Sequence, residues 1–191
     1  MKMLSNIYTR CAVAVVVLVM ITACGVKKSG TPAEFANLSN LMNNGETIRI
    51  EMNAAYPLNT FASQQVINQI MRNTGDTANR IDLTGDGAFL EFSADTVSAD
   101  LPFFGERRQG GGYNNTQDSG IFFEQAPEDY QFAANESDLQ YDVDFEANNK
   151  TENFDVNVVV FANGSATVYV RSSARTVIRY DGRVVSTSDT E

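Results

Sequence analysis

From residue 79 onward this chain is written in short runs of alternating apolar and polar residues, and that alternation restricts its fold more than any other feature. "DTVSADL", "GIFFEQ", "DLQYDVDFEA", "NFDVNVVVF", "SATVYVRSS", "RTVIRY" and "RVVST" succeed one another at short intervals, and a period of two is the mark of a half-buried strand. Ahead of them, "NRIDLTGDGAFLEF" reads as two strands in a hairpin around Gly85-Asp86-Gly87, because glycine supplies the positive φ angles of a tight turn. "ANGSA" at 162–166 and "YDGR" at 180–183 read as further turns. About nine strands in series predict a mainly β domain, an antiparallel meander that forms a barrel or a strongly curved sheet. No stretch alternates a strand with a long helix, which excludes a parallel α/β fold.

Upstream, "PAEFANLSNLMNNG" spaces Phe35, Leu38, Leu41 and Met42 for one helical face, with Pro32 at the start and Gly45 past the end. These are helix start and stop signals, and they predict a short N-terminal helix. "ETIRIEMNA" then sets Ile48, Ile50 and Met52 against Arg49, Glu51 and Asn53, the pattern of another strand. Residues 60–73 carry a loosely helical pattern and read as a second helix or a long excursion.

The first residues give an address. Lys2 and Arg10 precede an apolar run from Ala12 to Ile21, and then comes Ile-Thr-Ala-Cys ending at Cys24. The run is too short for a bilayer-spanning helix, which needs roughly 20 apolar residues, and fits a signal-peptide core. The tetrad resembles the lipobox of bacterial lipoproteins, in which the leader is cleaved and the cysteine is lipidated. The expected organisation is a signal peptide over 1–23, a lipidated Cys24 with its tether over 24–31, and one β-rich domain over 32–191. Cys11 falls in the leader, so the mature chain holds no internal disulfide and relies on a packed core. The leader takes two of 14 basic residues and none of 24 acidic ones, leaving a formal charge of −12. Such a body repels nucleic acid and argues against it as a partner. The membrane is the expected partner, through the lipid on Cys24, with Lys27 and Lys28 beside the headgroups.

The segment "LPFFGERRQGGGYN" at 101–114 is the candidate ligand or partner loop. It lacks the lysine and the following helix of a phosphate-binding loop. Pro102 ends a strand because it cannot donate to a ladder. Phe103 and Phe104 then stand at the rim, followed by Arg107, Arg108 and Tyr113. Two roles are open: the aromatics seal one end of the core, or they form the mouth of a binding cavity.

Other constellations carry less. Asp142, Asp144 and Glu146 share one face of their strand, as a solvated outer face requires. "DLTGDG" at 82–87 opens like a calcium loop, but its twelfth position is Ser93 where glutamate is needed. No metal site and no cofactor is expected. The sequence has no histidine, and the mature chain no free thiol, which removes Ser-His-Asp and Cys-His nucleophile systems. No catalytic residue is assigned. Arg171, Arg175, Arg179 and Arg183 cluster near the C-terminus and are expected to pair with carboxylates across the sheet.

Four motifs carry a family resemblance: "LPFFG" at 101–105, "GIFFE" at 120–124, "FANGSATVYV" at 161–170 and "SARTVIRYDGRV" at 173–184. In this order they resemble a family of Bacteroidetes lipoproteins defined by domain of unknown function 4251. In that family the first motif usually reads Leu-Pro-Tyr-Phe-Gly, so Phe103 departs from it and any role needing a hydroxyl there is absent. The resemblance implies a lipocalin-like β-barrel and no established activity. Surface-exported lipoproteins of that phylum tend to carry acidic residues after the lipidated cysteine, whereas Gly25, Val26, Lys27 and Lys28 stand here. A periplasm-facing anchor in the cell envelope is therefore expected. The expected function is a non-catalytic binding or structural module of the cell envelope, whose candidate partners are another envelope protein or a small apolar ligand. The alternatives are a carrier of a small apolar ligand in the barrel and, less favoured, a carboxylate-dependent hydrolase.

Overall fold

The computed structural model describes residues 30–58, 77, 79–106, 120–150 and 152–185. Cys24 and the 60–73 segment lie outside them. Among the described residues one helix, α1 (Pro32–Asn43), precedes ten strands. In chain order these are β1 (Ile48–Pro57), β2 (Ile81–Asp82), β3 (Phe89–Phe92), β4 (Val97–Leu101), β5 (Ile121–Gln125), β6 (Glu128–Asn135), β7 (Gln140–Asn148), β8 (Asn153–Phe161), β9 (Ser165–Ser172) and β10 (Ile178–Val185). They form one sheet in the order β5-β4-β3-β1-β10-β9-β8-β7-β6, with β2 also on β1. Every pairing is antiparallel.

The strand order shows how far the sheet curls. β5 and β6 stand at opposite ends of it, yet only Ala126 and Pro127 separate them in the chain. A flat sheet of that width is impossible across so short a link, and the sheet is a strongly curled half-barrel. Phe123 on β5 reaches across to Phe145 on β7, ring centroids 6.2 Å apart, and to Phe154 on β8 at 5.8 Å. With its amide turned to suit both partners, Gln125 donates to the Asn148 carbonyl at 2.8 Å and accepts from its N–H at 3.0 Å.

The concave face is filled with side chains. Ile50, Leu90, Val97, Leu101, Val143, Val156 and Val168 are wholly buried, and Tyr180, Phe92, Phe123 and Phe154 are the bulkiest groups among them. Burial alternates along β7, β8 and β9 as the period-two pattern predicts. α1 closes one pole. Pro32 begins it, and Thr31 and Glu34 form a reciprocal capping box that satisfies N-terminal donors. Leu38 and Met42 are buried beneath the helix, Phe35 stacks on Tyr141 at 5.5 Å, and Asn43 donates to the Tyr141 hydroxyl at 3.2 Å.

Two expected turns are corrected. The stretch around Gly85 and Gly87 is not a hairpin: β2 and β3 both pair with β1, lying one after the other along the same edge. Ile81, Leu83, Ala88 and Leu90 all need the core, and the positive-φ glycines throw out a short loop that returns the chain to that edge. "YDGR" is not a turn either, since β10 runs through it. Gly182 pairs opposite Met52, and a Cβ there would strike the Glu51 carbonyl, so the glycine serves close backbone approach. "ANGSA" is a turn as expected, with Gly164 at φ 77°. Sequence reading had no strand at β6, where most residues are exposed and alternation has no core to report.

Candidate functional site

The candidate loop begins at the pole opposite α1, where β4, β9 and β10 end or start. Leu101 is fully buried, anchoring the end of β4. The Pro102 carbonyl accepts a hydrogen bond of 2.9 Å from the Tyr180 hydroxyl. Phe103 lies against the Arg175 guanidinium, 4.9 Å from its ring centroid. Phe103 and Phe104 are both half-buried and packed on the core. Glu106 then pairs with Thr176 like a strand residue: its N–H donates to the threonine hydroxyl at 3.0 Å, and its carbonyl accepts from the Thr176 N–H at 2.9 Å. Gly105 is required by closeness, because a Cβ there would stand 2.5 Å from Thr176 Oγ1 and 2.6 Å from Phe103 Cζ.

Beneath this loop sits an ion pair that the sequence did not disclose. Arg175 and Glu152 are both buried, with side chains 3 % and 6 % exposed. Arg175 Nε donates to Glu152 Oε2 at 2.7 Å and Nη2 donates to Oε1 at 2.8 Å, a two-pronged contact. The Ser172 hydroxyl adds a third donor at 3.1 Å. A carboxylate so occupied is a structural partner and not a free acid or base. Tyr180, below it, has its phenol pushed well above the usual tyrosine range by burial, with Arg175 pulling weakly the other way. The stretches "LPFFG" and "SARTVIRYDGRV" thus meet here and lock β4 to the β9–β10 connection.

Of the predicted loop residues, Phe103 and Phe104 are placed against the core, while Arg107, Arg108 and Tyr113 lie outside the described residues. The seal reading therefore has direct packing behind it. Arg175 was singled out as one of four arginines, but its burial was not; Glu152, in "NNKTE", looks like any surface acid. The other arginines behave as expected in part. Arg171 meets Asp155 across the β8–β9 pair at 3.3 Å. Arg179 meets Asp181 on its own strand and lies over the Tyr56 ring at 3.9 Å. Arg183 donates to the Asn163 carbonyl. Asp142 accepts from Gln140 and Asp144 from Asn157 on the outer face. Asp82 closes a turn with Thr84, whose hydroxyl and N–H hold the carboxylate below its usual range. Among the described residues no cluster of three His, Cys, Asp or Glu side chains is placed to hold a metal ion.

Comparison with known proteins follows the same lines. The model of the family described as domain of unknown function DUF4251 matches residues 31–184. A crystal structure of a DUF4251 family protein from Bacteroides eggerthii DSM 20697 is similar in fold, with a TM-score of 0.53 at 9% identity, over 86% of this chain and 95% of that one. No curated protein matches the chain. With a family match that spans most of its length, the chain belongs to the DUF4251 family.

Proposed function

We propose that this protein is a lipid-anchored module of the cell envelope that works by contact with another envelope protein, without catalysis and without an internal ligand. The observation that carries the reading is the filled concave face: large side chains occupy the space where a carrier holds its cargo. The clefts around α1 are open to solvent, and among the described residues that line them no histidine or cysteine stands beside the Glu46 and Asp95 carboxylates. The anchor is supported by the lipobox at Cys24 and by the position of Gly30. That residue packs against Ala162 and Asn163 at the α1 pole, six residues from the cysteine. A fully stretched tether of that length spans about 20 Å, so the α1 pole faces the membrane and the motif pole points away.

Expression of wild-type and Cys24→Ser chains in the source cells tests the anchor: the wild type partitions with membranes and the variant does not. Photo-cross-linking of the wild type in intact cells tests the contact. Adducts of defined mass support the module; their absence from every face overturns it.

A further inference from the structure

We infer that the free edge of β6 receives an extended segment of another polypeptide as an added strand, one that is apolar on one face and bears lysine or arginine at its ends. The inference rests on the reading of the protein as a contact module and names the surface it uses. β6 closes one end of the sheet and, among the described residues, pairs only with β7. Among the described residues its backbone makes no hydrogen bond beyond that ladder. Phe132 and Ala134 pair opposite Val143 and Tyr141, both buried, and so share the concave face. Phe132 leans on the Tyr141 ring, centroids 5.1 Å apart, but is still 37 % exposed, and Ala134 is exposed. An unpaired edge is ordinarily guarded along its length by charged side chains, lysine above all, by proline or by bulges. β6 has neither lysine nor proline, and its irregularity, with Asp129 at φ 48°, is confined to the start, leaving 131–135 regular.

Charge identifies the occupant. Beside the edge lies a cleft of about 340 Å³ lined by Met42, Phe92, Tyr130 and Phe132, with Glu46 and Asp95 at its rim and no lysine or arginine. Glu128 and Asp129 begin the strand, and Glu136 and Asp138 follow it. Apolar side chains flanked by carboxylates at both ends suit a strand with the same order and opposite sign. A second copy of this chain fits poorly. Antiparallel self-pairing about Phe132 sets Glu128 opposite Glu136, and like charges directly opposed repel.

The test uses the full-length lipidated protein in detergent and two peptides of alternating valine and threonine, one ending in lysines and the other in glutamates. Anisotropy measures affinity and amide exchange locates the contact. The lysine peptide is expected to bind at least about tenfold more tightly than the glutamate peptide and to slow exchange at 131–135. Ala134→Lys, at an exposed position, is expected to weaken binding by about tenfold while leaving the melting temperature unchanged. Equal affinities, protection elsewhere, no binding by either peptide, or protection of β6 in a peptide-free dimer would each overturn the inference. Adducts in cells from Tyr169 on the outer face, with no peptide at β6, would keep the contact module and discard this edge.

Discussion

Glu152 and Arg175 show how much of this molecule rests on single contacts. Removing one partner strands the other charge away from water, so Glu152→Gln or Arg175→Met is expected to cost about 3–5 kcal/mol in urea unfolding. Changing both to apolar residues is expected to recover most of that loss, because no uncompensated charge remains. Phe104→Ala is expected to cost about 1.5–3 kcal/mol, in keeping with a half-buried seal of the core. Tyr180 gives a pH signature. Its folded phenol keeps its proton while an unfolded phenol loses it near about pH 10, so the unfolded state binds fewer protons above that pH. Stability contributed by this group is therefore intact at neutral pH and falls as pH rises past that value. Tyr180→Phe is expected to lose about 1 kcal/mol at pH 7, with its hydrogen bond to Pro102, and to fall less steeply in alkali. The strand end at Pro102 and the aromatic pair after it were legible, and the packing of Phe103 and Phe104 on the core belongs to one of the two roles the sequence left open. It missed Glu152 because its partner lies 23 residues away and no local pattern marks a buried carboxylate.

Among the elements, those with one buried face were legible and those without were not. α1 announced itself through Pro32, Gly45 and the spacing of Phe35, Leu38, Leu41 and Met42, and β7, β8 and β9 through strict alternation. β6 left no trace, since exposure on both faces erases the signal that alternation records. Glycine misled at two places for opposite reasons. Gly85 and Gly87 do adopt positive φ, but in a loop between collinear strands; Gly182 lies inside β10 and is there for room. Gly182→Ala is accordingly expected to push β10 from β1 and to cost about 1–3 kcal/mol, with amide exchange quickened along that pair first. An alanine at a true turn of the kind first expected would leave that ladder protected.

At the scale of the whole molecule, the curled sheet has two ends, and among the described residues the protein handles them differently. The β5 side is tied back by Phe123 and Gln125 against β7 and β8, whereas β6 pairs with no described strand but β7. One pole is covered by α1, residues 102–106 pack on the core at the other, and the space between is filled with side chains. That filling separates a contact module from a carrier, and native mass spectrometry of the protein extracted from its own membrane measures it directly. The account predicts a mass equal to the chain from Cys24 plus its acyl chains, with no small molecule lost on denaturation. A small apolar molecule retained natively and released on denaturation would contradict it.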